Sequence, residues 1–282
     1  MLFRSMKTLK LARAAAAVLA LSAGLAQAAF VTQWNVATDA SFVPASVMPG
    51  GNTAPNPVLS NSNRTLKWGV PFEQPSQSGL TISNPSALLV DTGVLATTVS
   101  ITHDNFPITA PSLSSATILA KLSLSSNLPV VGPTEVGFLP FGIKFIETPN
   151  GGTDGFCADG AAVGSGGINS AGCADIFVIS SEAINFPFPY DTDGAGGDDP
   201  IVYFVSFFAN GFNTLSNAAC ASAGAAAGCR GFETAENQST TVDFKILILG
   251  QPFGVPEPGS IALTGLALAS LGLIGRRRKQ QK

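Results

Sequence analysis

The central part of the chain is predicted to be an all-β, β-sandwich or jelly-roll-like ectodomain. Helix-forming residues are scarce between the two ends, where Thr, Ser, Val, Ile, Phe, Gly, Pro and Asn dominate. These residues favour short strands joined by turns. About eight β-type segments alternate with turn residues, which is typical of one sandwich domain.

Strands are expected where β-branched and aromatic residues concentrate or alternate with polar ones. They are 64–70, 80–83, 94–102, 117–124, 135–147, 175–180, 201–209 and 241–249. Pro140 is expected to mark a bulge or corner, because proline cannot donate to a ladder. Gly- and Ala-rich loops are expected at 151–172 and 213–231, and 218–227 suits a short helix. We do not find an internal repeat.

The domain is therefore placed at residues 64–250. Residues 29–63 contain four prolines with many Asn and Ser residues, and are predicted to be an irregular N-terminal arm or edge strand.

The first 28 residues have the three parts of a secretory signal peptide. The basic part contains Arg4, Lys7, Lys10 and Arg13. An apolar part follows at 14–23, and Ala26-Gln27-Ala28 is a small-x-small cleavage site. Signal peptidase is expected to release a chain that begins at Ala29 or Phe30.

Three features follow one another at the C-terminus. They are Val255-Pro256-Glu257-Pro258 in a linker at 251–258, an uncharged apolar run of 17 residues at 259–275, and the cluster Arg276-Arg277-Arg278-Lys279 in the tail 276–282. The run is just long enough for a transmembrane helix, and basic residues hold such a helix end on the cytoplasmic side. The domain is thereby placed outside the cytoplasm.

This order of tripeptide, hydrophobic helix and Arg cluster resembles the PEP-CTERM sorting signal of Gram-negative bacteria. The resemblance implies that exosortase, a membrane sorting protease, recognises the tail and removes it. The precursor would be anchored in the inner membrane and the product would reach the cell surface or the medium. A permanent single-helix anchor is the alternative, but such an anchor has no need of the tripeptide.

Charge excludes one class of partner. Between the two processing signals the chain has six basic and 17 acidic residues, a net charge of about −11. A domain this acidic is a poor candidate for binding nucleic acid or an anionic membrane surface. It suits an exported protein or one that meets cations.

The four cysteines are expected to form two disulfides, Cys157–Cys173 and Cys220–Cys229, because each pair flanks one of the Gly/Ala-rich loops. Three connectivities are possible for four cysteines. A redox-active role and a four-cysteine metal site are alternatives, although the Cys-x-x-Cys spacing usual for zinc is absent.

Residues in six segments resemble the THxN family of PEP-CTERM proteins. They are Trp68-Gly69, Ser78-Gly79-Leu80-x-Ile82, Thr102-His103-x-Asn105-x-x-Ile108, Phe145-x-Glu147-Thr148-x-Asn150, Cys173-x-Asp175-Ile176-Phe177-Val178 and Cys229-x-Gly231-Phe232-x-Thr234-x-Glu236. The family implies no established activity. Thr102 and Asn105 suit a turn, and His103 could tie a loop to Glu147 or Asp175. Ligand contact by His103 and Asn105, or catalysis with His103 as base, are the alternatives.

A possible Ca²⁺ site is the only cofactor that the sequence suggests. Asp191, Asp193, Asp198 and Asp199 lie within nine residues that also contain glycines. Carboxylates in a flexible loop are suitable Ca²⁺ ligands, although the spacing is not that of an EF-hand. A solvated acidic turn is the alternative.

Three functions fit these patterns. The first is a structural protein of the cell surface, extracellular matrix or biofilm, which is not an enzyme. The second is a Ca²⁺-assisted module that binds extracellular polysaccharide, with Trp34, Trp68, Tyr190 and Tyr203 as candidates for stacking on sugars. The third is an extracellular glycan hydrolase with paired carboxylates. Against the hydrolase, no acidic pair occurs in a sequence context that would raise a pKa by burial.

Overall fold

The structure is a computed structural model, and it describes residues 30–50, 57–72, 75–109, 112–130, 134–179, 185–192 and 200–251. The predicted signal peptide, the Pro-Glu-Pro motif, the apolar run and the basic tail lie outside these residues. No helix within the described ranges is long and apolar enough to cross a membrane.

The described residues form antiparallel β-strands almost throughout. The strands are β1 (Gln33–Phe42), β2 (Met48–Gly50), β3 (Val58–Ser60), β4 (Thr65–Trp68), β5 (Val70–Pro71), β6 (Ser78–Ile82), β7 (Ser86–Asp91), β8 (Ala96–Asn105), β9 (Ile108–Thr109), β10 (Ser112–Leu128), β11 (Glu135–Ile146), β12 (Asp175–Ile179), β13 (Phe186–Tyr190), β14 (Ile201–Asn210), β15 (Asn213–Thr214), β16 (Arg230–Thr234) and β17 (Gln238–Leu249). Each of the eight predicted strands overlaps one of them. A short helix, α1 (Asn217–Ser222), lies in the second predicted loop and is capped by Ser216.

Two large sheets carry the fold. The first sheet has the order β15-β16-β12-β11-β10-β1-β7, with β2 added beside β10. The second sheet has the order β13-β14-β17-β8-β6-β4-β3, and β5 and β9 form a separate two-stranded ribbon.

One hydrophobic core is shared by the two sheets, because alternate side chains of each sheet point to the same interior. Trp34 of β1 and Tyr203 of β14 meet edge to face with ring centroids 4.8 Å apart. Phe141 of β11 packs against Phe207 of β14 at 6.3 Å. Aromatic pairs therefore contribute to holding the faces of the two sheets together, beside the aliphatic residues of the core.

The N-terminal segment is part of the fold. The prediction of an irregular arm or edge strand at 29–63 was wrong for β1, whereas β3 in the same segment is an edge strand. Strand β1 lies between β10 and β7 and pairs with both. Its even-numbered residues from Trp34 to Phe42 are buried in the core. The prolines later in this segment obscured that alternation in the sequence.

Pro140 marks neither a bulge nor a corner. The ladder between β10 and β11 is continuous from Glu135 to Lys144, with Pro140 opposite Leu119. Strand β12 pairs with β11 only from Ile143 onward. Pro140 is tolerated because no described strand pairs with its other side, where the missing N–H would be needed.

Both predicted disulfides are present, at Cys157–Cys173 and Cys220–Cys229. The two closed loops pack on the outer face of β12, where Ile176 and Val178 form a second apolar cluster with α1. Ser216 and Ser222 join the loops by donating hydrogen bonds to the carbonyl oxygens of Asp159 and Ala158, respectively. Two disulfides indicate an extracellular, oxidising environment.

Replacing Cys220 and Cys229 together by alanine is expected to lower the free energy of unfolding by about 2.5 kcal/mol, because the bond closes a short loop in the unfolded chain. Urea unfolding of the variant and of the oxidised wild type measures this difference. Equal stability of the two proteins would contradict the prediction. Cys157→Ala/Cys173→Ala serves as the comparison, since its loop is longer and its loss should be slightly greater.

Candidate functional site

Polar side chains from the ends of five strands meet at one end of the shared core. This polar cluster consists of Trp68 at the end of β4, His103 and Asn105 in β8, Glu147 and Thr148 after β11, Asp175 at the start of β12, and Thr234 and Glu236 at and after the end of β16. All of these residues belong to the six segments singled out in the sequence, so the fold brings separate parts of that pattern together.

The Thr102–Asn105 stretch is a strand, and the expectation of a turn there was wrong. Period-2 alternation sends His103 and Asn105 into the core and leaves Thr102 and Asp104 on the outer face. The Thr102 hydroxyl is hydrogen-bonded to that of Thr241 on β17 at 2.8 Å. Asp104 forms an ion pair with Lys67 at 3.0 Å. His103 and Asn105 are therefore core residues, whereas Thr102 and Asp104 lie on the outer face of the sheet.

The His103 ring lies among aromatic side chains and is 0% exposed. Trp68 is stacked on it with a 6.0 Å centroid separation, and Phe145 meets it edge to face at 4.9 Å. Burial lowers the pKa of His103 to about 3, although the negative charge of Asp104 opposes the shift. The imidazole is thus neutral at ordinary pH.

Asp175 is the nearest acidic neighbour of His103, with 3.7 Å between Nε2 and Oδ2. This distance brings together two residues that the sequence analysis suggested as partners, but it is too long for a hydrogen bond. Oδ1 of Asp175 accepts a hydrogen bond from the backbone N–H of Thr148 at 2.8 Å. The Thr148 hydroxyl in turn lies 3.0 Å from the carbonyl oxygens of Cys173 and Ala174. Asp175 is thereby fixed between β11 and β12.

Glu147 and Asp175 form an acidic pair whose pKa values are raised. Burial raises the pKa of Glu147 to about 7, although the hydrogen bond from Trp68 Nε1 at 2.7 Å opposes the shift. Burial and then the charge of Glu147 raise the pKa of Asp175 well above its ordinary value. Each carboxyl disfavours ionisation of the other, because two buried negative charges repel. The argument that no acidic pair would have a burial-raised pKa was therefore wrong.

Asn105 and Glu236 complete the cluster on the β16 side. Asn105 Nδ2 donates a hydrogen bond to the carbonyl oxygen of Thr234 at 2.9 Å, which links β8 to β16. Burial raises the pKa of Glu236, while hydrogen bonds from Asn150 and from the backbone of Asn237 oppose the shift. Both residues are buried, so the polar cluster connects the two sheets through the core.

Chemically, the polar cluster can hold a proton on its carboxyl pair, but most of it is sealed. Asp175 is 1% exposed, and Glu147 is partly exposed. Four surface pockets formed by the described residues are lined by other side chains and do not touch the cluster. His103 and Asp175 are therefore out of reach of a dissolved substrate.

The four aromatic residues considered for sugar stacking are core residues. Trp34, Trp68, Tyr190 and Tyr203 are all buried, so this part of the polysaccharide-binding hypothesis was wrong. Their polar atoms are satisfied internally: Trp34 Nε1 donates to the Thr92 hydroxyl, and the Tyr203 hydroxyl accepts from the backbone N–H of Val31. For Trp34, its alternation along β1 with polar residues such as the exposed Asn35 was the available signal for burial.

The possible Ca²⁺ loop lies largely outside the described residues. Asp191 is described and half-buried, whereas Asp193, Asp198 and Asp199 are not described. Within the part of the chain that the structure describes, no group of three or more His, Cys, Asp or Glu side chains is arranged to hold a metal ion.

The sequence pattern identified the members of the cluster but not their roles. Glu147, Asp175 and Glu236 appear in it as isolated acids, and their electrostatic coupling depends on the pairing of β11, β12 and β16. Comparison with known protein families gives no match for this chain, and comparison with curated proteins gives none either.

Proposed function

We propose that this protein is exported, sorted by exosortase and released as a structural component of the cell surface or extracellular matrix, in association with exopolysaccharide or biofilm. The observation that carries the proposal is the pair of disulfides, which suits a domain that matures outside the cytoplasm. The tail that resembles a PEP-CTERM signal and the predicted signal peptide support the same route.

A structural role suits the polar cluster better than catalysis does. A glycan hydrolase needs two carboxyls that flank a bound sugar and are separated by at least about 5 Å. Here Asp175 is 1% exposed, so a bound sugar could not contact it. In this proposal the two sheets form a β-sandwich, and the cluster fixes the ends of its strands.

A Ca²⁺-assisted polysaccharide module is the second candidate, and it now depends on other residues. The aromatic side chains that are exposed in the structure are phenylalanines, including Phe138 and Phe186 beside an apolar cavity of about 220 Å³. Apolar rings of this kind can stack on sugars, although they supply no hydrogen bonds of their own. Depletion of Ca²⁺ would weaken binding to polysaccharide in this case and would have no effect on a purely structural domain.

The intact mass of the protein recovered from its native host, under non-reducing conditions, tests the proposal. The expected product starts near Ala29, ends near Pro258 and is lighter by four hydrogens because of two disulfides. Extra mass at the C-terminus would identify a group attached during sorting. A product that keeps residues 259–282 would show a permanent anchor and contradict the sorting step.

Replacement of Pro256, Glu257 and Pro258 by alanine provides the matched control. This variant keeps the apolar run and the basic cluster, so it is expected to stay in the inner membrane with its tail intact. Processing of the variant at the wild-type rate would show that the tripeptide has no role in sorting.

A further inference from the structure

The edges of the two sheets are protected unequally. An edge strand presents unpaired N–H and C=O groups that can pair with another chain. Strand β13, at one edge of the second sheet, contains Pro187 and Pro189 at alternate positions, both on the side that faces away from β14. These prolines remove outward donors. The edge strands β3 and β15 have only three and two residues.

Strand β7 lacks this protection. It has six residues without proline, lies at the edge of the first sheet, and pairs with β1 alone among the described strands. Thr92 N–H donates to the carbonyl oxygen of Thr32 at 2.8 Å in the continuation of this ladder. Hydrogen-bonded and non-hydrogen-bonded pairs alternate along an antiparallel ladder. Ser86, Leu88 and Val90 therefore bond to β1, and the backbone groups of Ala87, Leu89 and Asp91 point outward.

The side chains on this edge are mostly apolar and accessible. Leu89 is 58% exposed, and Ala87 beside it is also exposed. They border a shallow pocket of about 380 Å³ on the outer face of the sheet, lined in addition by Asn35, Ala37 and Ser123. The edge thus offers hydrogen bonds and a contact surface together.

We propose that β7 pairs with β7 of a second copy of this chain, antiparallel, about a two-fold axis at Leu89. In this register Leu89 faces Leu89 of the other copy, and Ala87 faces Asp91. The outward N–H groups of Leu89 and Asp91 and the outward C=O groups of Ala87 and Leu89 then find partners. The C=O of Asp91 already accepts a hydrogen bond from Val94 N–H at 3.1 Å. Leu88 faces Val90 of the other copy on the inner side, which extends the core across the junction.

The repulsion between two copies is small at the junction in this register. The domain carries a net charge of about −11, so two copies repel each other wherever their carboxylates meet. The edge from Ser86 to Val90 is uncharged. The two Asp91 side chains are separated by four residues along the ladder, about 13 Å at the usual strand rise, which exceeds the Debye length of about 8 Å at physiological salt.

This pairing would join the first sheets of two copies into one continuous sheet. It goes beyond the proposed function, because it needs the folded domain but not the sorting step. Its failure and the failure of the sorting proposal are therefore distinguishable: the first is read from association and the second from the mass of the chain.

Sedimentation equilibrium of the protein recovered from its native host tests the inference, over roughly 1–100 µM protein. The wild type is expected to be a dimer at the upper end of this range. Leu89→Pro removes one outward N–H and leaves the ladder to β1 intact, so it should weaken association at least 100-fold while urea unfolding stays cooperative. Leu89→Lys should do the same because two lysines would face each other.

Val58→Lys is the matched control, since Val58 is 59% exposed on the edge strand β3. It should leave the dimer unchanged. A wild type that is monomeric throughout the range overturns the proposal, and so does a dimer that persists in Leu89→Pro. A complex with a different protein that Leu89→Pro abolishes also overturns it, because the edge would then serve a foreign strand.

Discussion

Replacement of Trp34 by alanine is expected to lower the free energy of unfolding by about 3–5 kcal/mol, as is typical when a buried tryptophan is truncated. The Trp34 ring is 0% exposed and packs against Phe188, Tyr190 and Tyr203 of the opposite sheet. Its Nε1 also donates a hydrogen bond to the Thr92 hydroxyl at 2.9 Å. The variant therefore leaves a cavity between the sheets and an unpaired hydroxyl acceptor.

Asn35→Ala is the matched control, because Asn35 is the next residue of β1 and its side chain lies on the exposed outer face. A change below about 0.5 kcal/mol is expected there. Urea unfolding followed by far-ultraviolet circular dichroism measures both variants without depending on tryptophan fluorescence. If Trp34→Ala changed stability no more than Asn35→Ala does, β1 would not be an integral part of the fold.

Glu147→Gln is expected to be more stable, relative to the wild type, at pH 8 than at pH 5. The free energy of unfolding of the variant minus that of the wild type should rise by roughly 2–3 kcal/mol between these two pH values. The pKa of Glu147 is about 7 in the folded protein, whereas an unfolded glutamate titrates near 4.3. Folding therefore favours the protonated form of Glu147. The resulting contribution to the free energy of unfolding is complete below about pH 4 and is lost as the pH rises through 7. Because Glu147 is partly exposed, the lower end of the range is favoured.

Glutamine keeps the hydrogen bond that Glu147 accepts from Trp68 Nε1, and it does not titrate. The wild type must release the proton of Glu147 as the pH rises, while the variant does not. The difference in pH dependence between the two proteins therefore reports the titration of Glu147.

His103 acts in the opposite sense. Its pKa is lowered to about 3, so the folded protein keeps it neutral while the unfolded chain takes up a proton below about pH 6.5. This contribution is present above pH 6.5 and is lost as the pH falls toward 3. It is common to the wild type and Glu147→Gln, so it cancels in the comparison.

Urea unfolding of both proteins at several values between pH 5 and pH 8 is the measurement. Asp154→Asn is the control, since Asp154 is an exposed carboxylate three residues before Cys157. Parallel stability profiles for the wild type and Glu147→Gln would show that the pKa of Glu147 is not raised by folding.

Local patterns predicted both disulfides and the long strands of the described residues apart from β1. Each predicted strand has its own alternation or β-branched content, and such signals depend on a few neighbouring residues. The disulfide pairs followed from the position of each cysteine at the border of a glycine-rich loop. Among the strands that were not predicted, β7 and β13 have six and five residues, and each pairs with a neighbouring strand.

The place of β1 required the tertiary structure. Its alternation of Trp34, Val36 and Phe42 with exposed residues is visible in the sequence, but only its pairing with β10 and β7 makes it an interior strand. Likewise, Pro140 suggested a bulge or corner. In the structure it lies in β11 where no described strand pairs with the side opposite β10. A proline in the sequence shows that one backbone N–H is missing. It does not show whether a neighbouring strand needs that N–H for a hydrogen bond.

The amino-acid sequence alone predicted an all-β domain with two disulfides, and it contained the residues of the polar cluster in one pattern. The tertiary structure was needed to show that His103 and Asn105 point into the core, that burial raises the pKa of Glu147, and that the four candidate sugar-binding aromatics are buried. Strand formation and loop closure depend on local chain chemistry, which the sequence contains directly. Burial and pKa values depend on which strands become neighbours, and that is fixed by long-range pairing of the two sheets.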